Sequence, residues 1–143
     1  MRDYDNEYIG KYCDIADDSV IGENVYIGDS VTIGHNVQIG DNVTLSNNVT
    51  IEDCVIIKNN VQLSTGVIVG EHVTLHEHVN VKRGATFKDG AIARARSNIG
   101  YNVIVGHNAI IGKMSTIGNN IRVRDNYRVK DSTRIIAEVQ MMV

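Results

Sequence analysis

Residues 31–45 read VTIGHNVQIGDNVTL, and this stretch repeats a single six-residue pattern. An aliphatic residue opens each hexad, as Ile33, Ile39 and Leu45 do, and the fourth place is taken by an asparagine and the fifth by a valine. Followed outward in both directions, an apolar residue opens every hexad from Ile9 to Met141 without an insertion. Residues 9–140 therefore make 22 hexads.

Each hexad predicts one short strand followed by one turn. The fifth residue and the next first residue are two apart, so both side chains point to the same side of a strand. Asparagine and glycine in the fourth place tolerate a positive φ, which predicts a tight turn there. Such a strand buries only two side chains, so the repeats have to stack. A period of six fits neither a helix nor a heptad.

The predicted fold is an all-β solenoid in which three strands complete an 18-residue coil. Residues 9–140 give about seven coils with no inserted loop. We assign residues 1–8 to an N-terminal lead-in and residues 141–143 to a C-terminal tail. The chain of 143 residues has a net charge of −3 and contains no proline. No signal peptide or apolar membrane span is evident in the sequence, which predicts a cytoplasmic protein.

The hexads resemble those of the hexapeptide-repeat family, whose members fold as left-handed parallel β-helices. The resemblance covers residues 9–140 and implies a left-handed, triangular coil. It also implies a homotrimer, because members of this family are usually trimers. The hand comes from the resemblance alone, since parallel crossovers are otherwise right-handed.

Residues 18 apart should stack, so the sixth places form one outward row on each of three faces. One row is polar, and the other two carry isoleucine and threonine. Those two rows are Asp14, Thr32, Thr50, Ile68, Thr86, Ile104, Arg122 and Gln140, and Val20, Gln38, Ile56, Thr74, Ile92, Ile110 and Arg128. We expect the Ile/Thr faces to form the trimer contacts, although ordinary β-surface composition also explains them.

Two histidines are candidate catalytic residues. The segment from Ile33 to Asn42 is similar to the catalytic-histidine hexads of the lipid A-pathway N-acyltransferases, in which a histidine is the general base for the accepting amine. The resemblance assigns that role to His35, and His107 followed by Asn108 matches equally. It implies transfer of an acyl or acetyl group to a sugar or nucleotide sugar in a cleft between subunits. Acetyl-CoA or another acyl donor would be a co-substrate, with no bound cofactor.

Basic residues are concentrated in one coil, which suggests contacts to phosphate groups of a nucleotide or coenzyme. The candidates are Lys82, Arg83, Lys88, Arg94 and Arg96. Charge also differs between the ends, with a net −6 over residues 1–36 and +4 over residues 113–134. Charged ends can prevent open coil edges from pairing into fibres, or can join head to tail. We expect no nucleic-acid binding, because the net charge is negative and no aromatic platform for stacking bases accompanies the arginines.

Two other functions remain open. A non-catalytic assembly module is favoured by the absence of the extended loop and helical or proline-bearing tail that such acyltransferases usually carry. A metal site like that of the γ-carbonic anhydrases needs a second histidine five residues after the first. The stretch after His107 places Ile111, Gly112 and Lys113 in that region. We therefore expect no metal site.

Overall fold

A computed structural model describes residues 7–141, and its regular structure is almost entirely β-strand. The first eleven strands are β1 (Glu7–Ile9), β2 (Asp14–Ile15), β3 (Val20–Ile21), β4 (Val25–Ile27), β5 (Thr32–Ile33), β6 (Gln38–Ile39), β7 (Thr44–Leu45), β8 (Thr50–Ile51), β9 (Ile56–Ile57), β10 (Gln62–Leu63) and β11 (Ile68–Val69). The remaining eleven are β12 (Thr74–Leu75), β13 (Asn80–Val81), β14 (Thr86–Phe87), β15 (Ile92–Ala93), β16 (Asn98–Ile99), β17 (Ile104–Val105), β18 (Ile110–Ile111), β19 (Thr116–Ile117), β20 (Arg122–Val123), β21 (Arg128–Val129) and β22 (Arg134–Ile135).

Every third strand belongs to the same parallel sheet, so the chain winds around three faces. Face A contains β1, β4, β7, β10, β13, β16, β19 and β22, face B runs from β2 to β20, and face C runs from β3 to β21. Partners in the sheets are 18 residues apart, as in the pairing of Tyr8 with Tyr26 and of Ile68 with Thr86. The predicted β-solenoid of about seven coils is confirmed, and no loop interrupts the strands between residues 7 and 141.

The first and fifth places of the hexads form the core. Val43 and Leu45, for example, are completely buried, whereas Thr44 between them faces outward. The one phenylalanine, Phe87, is fully buried in a coil whose other core positions include Ala85 and Ala91. One large side chain beside small ones keeps the volume of the core constant along the axis.

The turns between strands form three corners, which we name by the face that precedes them. Corner 1 follows the strands of face A, corner 2 follows face B and corner 3 follows face C. The fourth place of the hexad has a φ close to +60° at most corners, as at Asn36 (57°) and Asn60 (64°). The predicted positive-φ turns are therefore present. Cys54, His72 and Arg96 adopt the same left-handed conformation although they are neither asparagine nor glycine.

The last strand ends at Ile135, whereas the hexad pattern in the sequence continues to Gln140. After β22 the chain forms a 3-10 helix, Glu138–Met141, instead of another strand. Gln140, predicted in the outward row of face B, therefore lies in this helix, where its side chain accepts hydrogen bonds from the N–H groups of Ile136 and Ala137. Glu138 accepts one from the N–H of Arg122 in the last strand of face B, at 2.7 Å. The Glu138 side chain thus accepts a strand N–H that a backbone carbonyl of a further coil would otherwise accept. The structure describes no helix long enough and apolar enough to cross a membrane.

Candidate functional site

A repeated hydrogen bond determines which residues can occupy the corners. At nine turns within residues 7–141, an Asp or Asn in the third place of a hexad accepts the backbone N–H of the third residue one coil earlier. One example is the bond from the N–H of His35 to Oδ1 of Asp53, at 2.8 Å. These bonds satisfy turn N–H groups that the parallel sheets leave unpaired.

Glycine in the second place makes room for this bond. A Cβ atom on Gly34 would lie 2.3 Å from Oδ1 of Asp53, and all nine acceptors have a glycine 19 residues before them. Gly34 does not have a positive φ; within the described chain, the glycines that do are Gly66, Gly84 and Gly90, in the fourth place. Second-place glycines are therefore explained by close approach of the next coil, and only fourth-place glycines by backbone conformation.

Where the glycine is replaced, the Asp or Asn one coil later is also missing. Corner 3 has three successive replacements at Lys58, His76 and Arg94, and corner 1 has three at Ser46, Ser64 and Lys82. These side chains are not needed for the turn hydrogen bond. Each run borders a depression in the otherwise smooth surface. The two runs are therefore the places where three successive coils lack the second-place glycine at the same corner.

His35 lies on corner 2, is well exposed, and faces a carboxylate. Its Nδ1 is 3.4 Å from Oδ1 of Asp18, and the exposed fractions of the two side chains are 70% and 48%. Its backbone N–H is bound to Asp53. One acidic neighbour thus lies beside the ring while another holds the backbone. This arrangement can hold one imidazole tautomer in place at a surface open to a substrate.

His107 lies on the same corner, four coils further along the axis. At about 4.8 Å per coil, roughly 19 Å separates it from His35, so the two histidines do not form one site within a subunit. Its backbone N–H is bound to Asp125, at 2.9 Å. A neighbouring depression of about 430 Å³ is lined by residues including Lys88 and Arg124. Asp125 belongs to the same lining, so the surroundings of His107 combine cations with a carboxylate, whereas the ring of His35 faces Asp18.

The five predicted phosphate-binding residues are distributed over all three corners of one coil. Lys82 and Arg83 lie on corner 1, where their cationic groups are 5.1 and 5.7 Å from the centre of the Tyr101 ring. Lys88 lies on corner 2, and Arg94 and Arg96 lie on corner 3. The residues form a ring around the solenoid, so a single ligand on one subunit cannot contact all of them.

On corner 1, these cations border a polar depression of about 480 Å³. Its lining consists of Ser46, Gln62, Ser64, Thr65, Asn80, Lys82, Arg83 and Tyr101. Hydroxyl and amide groups therefore surround the two cations, with no carboxylate in the lining. The combination suits an oxygen-rich anionic ligand.

His76, to which the hexad pattern assigned no role, is the most enclosed of the five histidines. It borders a depression of about 390 Å³ on corner 3 together with Glu77, Arg94 and Lys113. Burial and the nearby Lys58, Arg94 and Lys113 hold the pKa of His76 below its usual 6.5, although Glu77 opposes them. The signal in the sequence was the loss of glycine in the second place on three successive coils.

The described residues contain no group of three His, Cys, Asp or Glu side chains arranged to hold a metal ion. His72, His76 and His78 are near one another in the sequence, but His72 lies on corner 2 and His78 on corner 3, and His76 is in a second place whereas the other two are in fourth places.

Comparison with known proteins identifies the repeats. Residues 18–53 match the family described as bacterial transferase hexapeptide (six repeats). This match and the solenoid architecture confirm the resemblance to hexapeptide-repeat proteins. The chain has no significant match among curated protein sequences.

Several solved structures have the same fold. A point mutant of AntD, an N-acyltransferase from Bacillus cereus, in complex with dTDP and coenzyme A, aligns with a TM-score of 0.64 at 16% identity, over 87% of this chain and 74% of that one. LpxA from Acinetobacter baumannii aligns with a TM-score of 0.55 at 17% identity, over 92% and 66%. The acetyltransferase domain of PglB from Neisseria gonorrhoeae aligns with a TM-score of 0.52 at 13% identity, and this chain spans about half of it (88% and 52%). At these identities the similarity extends to the fold.

Proposed function

We propose that this chain, a hexapeptide-repeat protein, transfers an acyl or acetyl group from coenzyme A or another acyl donor to a sugar or nucleotide sugar. The acyltransferases that share its fold include one solved with coenzyme A and dTDP, both of which carry phosphate groups. The chain carries basic side chains on every corner of one coil, and those side chains can bind such groups. The reaction would take place in a cleft between subunits of a homotrimer.

The contact between His35 and Asp18 carries the proposal. Both residues lie within the matched repeats, and Nδ1 of His35 is 3.4 Å from the carboxylate. A proton on Nδ1, the nitrogen that faces Asp18, leaves Nε2 as the basic nitrogen, which can take a proton from the accepting amine or hydroxyl. The carboxylate keeps the ring oriented and offsets the positive charge of the imidazolium that forms. His35 is therefore our first candidate for the general base.

His107 is the second candidate, and its support is different. It has basic neighbours on corner 2, among them Lys88 and Arg124, which could bind the phosphates of an acyl donor beside it. In a trimer, a corner of one subunit can meet a face of the next, so a histidine and the cations of different subunits can share one cleft. The remaining candidates for phosphate contacts are Lys82, Arg83, Arg94 and Arg96.

A non-catalytic assembly role is the alternative, and one observation favours it. No loop breaks the coils between residues 7 and 141, so each subunit presents smooth faces. Ligand sites, in contrast, are normally concave. In that case the molecule would act through its faces and ends, including contact between the acidic and basic ends.

Release of free thiol from acetyl-CoA in the presence of amino sugars and nucleotide-linked amino sugars tests the two functions. We expect turnover by the unaltered chain and a loss of about 100-fold or more in kcat for the variant that lacks the base. His35→Ala and His107→Ala separate the two candidates, and Asp18→Asn should lower kcat less than His35→Ala does. His78→Ala, an exposed histidine on corner 3, is the matched control. Absence of turnover with every donor and acceptor would favour the assembly role.

A further inference from the structure

The outward row of face A consists of polar and aromatic side chains that are exposed or half-buried. Its members are Tyr8, Tyr26, Thr44, Gln62, Asn80, Asn98, Thr116 and Arg134. The rings of Tyr8 and Tyr26 stack, with their centres 4.9 Å apart. Within residues 7–141, the other six side chains make no hydrogen bond, ion pair or ring contact. The row can therefore bind a partner without breaking any contact of the chain.

This row is complementary to itself when a second copy lies against it in the opposite axial direction. Its members are 18 residues apart, so a two-fold axis parallel to the strands and midway between Gln62 and Asn80 pairs each of these amides with the other. The same axis places Tyr8 opposite Arg134 of the second copy. The remaining pairs are Tyr26 with Thr116 and Thr44 with Asn98. A guanidinium group over a phenol ring and an amide opposite a hydroxyl are both favourable contacts.

Charges on corner 3, along one edge of face A, match in the same arrangement. The axis places Glu23 opposite Lys113 of the second copy, and Asp41 beside Arg96 of that copy. Within residues 7–141, none of these four side chains forms an ion pair. Parallel pairing of two copies would instead place Glu23 opposite Asp29, on corner 1 of the same coil. Charge complementarity therefore favours the antiparallel arrangement.

The size of face A is sufficient for a contact between two copies. Eight strands with seven spacings of about 4.8 Å make the face roughly 34 Å long, and about five residues at 3.3 Å each make it roughly 16 Å wide. Two copies would bury about 1,100 Å² in total, close to the roughly 1,000 Å² that a specific interface needs. An area of this size is typical of weak association, so the pair should form at high protein concentration.

We propose that two copies of this chain associate weakly and antiparallel through face A. Tyr8 of one copy contacts Arg134 of the other at each end of the interface, and tyrosine and arginine are the residue types that most often contribute binding energy at interfaces. Because both copies use the same face, the contact closes at two copies instead of continuing into a fibre. It uses neither of the Ile/Thr faces proposed for the trimer, and it requires no acyl donor or acceptor.

Sedimentation analysis over a range of protein concentrations tests the contact. We expect the mean mass of the unaltered chain to rise with concentration. Glu23→Lys and Lys113→Glu should each weaken this association about tenfold or more, because each places like charges opposite each other twice in the pair. The chain with both substitutions should associate as the unaltered chain does, since the two ion pairs are restored with reversed sign. Both side chains lie outside the turn hydrogen bonds, in which these residues use their backbone N–H groups.

Glu52→Lys is the matched control, because it makes the same charge change at an exposed residue on corner 2, away from face A. It should change the association less than about twofold. Circular dichroism establishes that every variant folds. A mean mass that stays constant with concentration would overturn the proposal and leave face A to another partner. Equal weakening by Glu52→Lys, or no recovery in the double variant, would also contradict it.

Thiol crosslinking tests the antiparallel direction. In a chain carrying Cys13→Ser and Cys54→Ser, a cysteine is introduced by Asn80→Cys or by Thr116→Cys and treated with a short bis-maleimide. In the antiparallel pair the two copies of residue 80 are one coil apart along the axis, about 4.8 Å, and those of residue 116 are five coils apart, about 24 Å. Asn80→Cys should therefore be crosslinked between copies and Thr116→Cys should not. Equal crosslinking at both positions would indicate parallel pairing and overturn the proposal.

Discussion

Gly34 and Asp53 are 19 residues apart, yet the carboxylate of Asp53 occupies the space that a side chain on Gly34 would need. Its Oδ1 would lie 2.3 Å from a Cβ atom there, well inside van der Waals contact. The same oxygen accepts the N–H of His35. One residue pair therefore joins the packing of two coils to the position of a candidate catalytic histidine.

We expect Gly34→Ala to lower the free energy of unfolding by about 2 kcal/mol, because the added methyl group displaces the Asp53 carboxylate and weakens its hydrogen bond. Urea unfolding followed by circular dichroism measures the change. In an Asp53→Ala background the same substitution should cost about 1 kcal/mol less, since backbone contacts remain but the carboxylate is absent. Strictly additive effects of the two substitutions would show that the pair is not coupled.

The last strand of face B should depend on a side chain for its edge. Glu138 accepts the N–H of Arg122 at a position where a further coil would otherwise supply a backbone carbonyl. Glu138→Ala should therefore destabilise the chain by about 1 kcal/mol and increase its tendency to aggregate, because an open strand edge can pair with another chain. Thermal unfolding and light scattering report the two effects. Val139→Ala, at an exposed residue of the same helix, is the control, and it should leave both nearly unchanged.

The stability of the chain should depend on pH through His76. Its pKa is held below 6.5 in the folded protein. Between the two pKa values the unfolded chain therefore binds more protons, so stability should rise as the pH increases through that range and fall as it decreases. His76→Gln removes this contribution, so its urea midpoint should change less between pH 5 and pH 7.5 than that of the unaltered chain. Parallel pH profiles for the two proteins would contradict the effect.

The Ile/Thr faces lead to a prediction about assembly. Ile56 on face C and Ile68 on face B remain 38% and 41% exposed in the single chain. If these faces form the proposed trimer, Ile56→Asp or Ile68→Asp should shift the protein toward monomer, because each places a charge in an apolar contact. Gln62→Glu, in the outward row of face A, should not. Light scattering coupled to size-exclusion chromatography gives the mass, and a trimer unaffected by both aspartate variants would exclude these contacts.

Much of the fold could be predicted because each residue's place in the hexad determines its surroundings. The strand pairs lie 18 residues apart throughout, and the inward and outward places follow the predicted alternation. Less of the candidate site could be predicted from the sequence. His35 and His107 could be placed on one corner by counting, but the count does not reveal that Asp18 is beside the first and basic residues are near the second.

The hexad period by itself determined the spacing of the strands and the buried residues of this protein, because the same place in every hexad has the same surroundings; the three-strand coil came from the family resemblance. Only the tertiary structure decided which side chains of different coils are in contact. The carboxylate of Asp53 contacts Gly34, and Glu138 accepts the N–H of Arg122 at the end of face B. Burial and cations from neighbouring coils lower the pKa of His76. The first two contacts join residues that are 16 and 19 apart in the chain, and the third joins charges on separate turns. A six-residue repeat does not specify which side chains come within contact distance across coils.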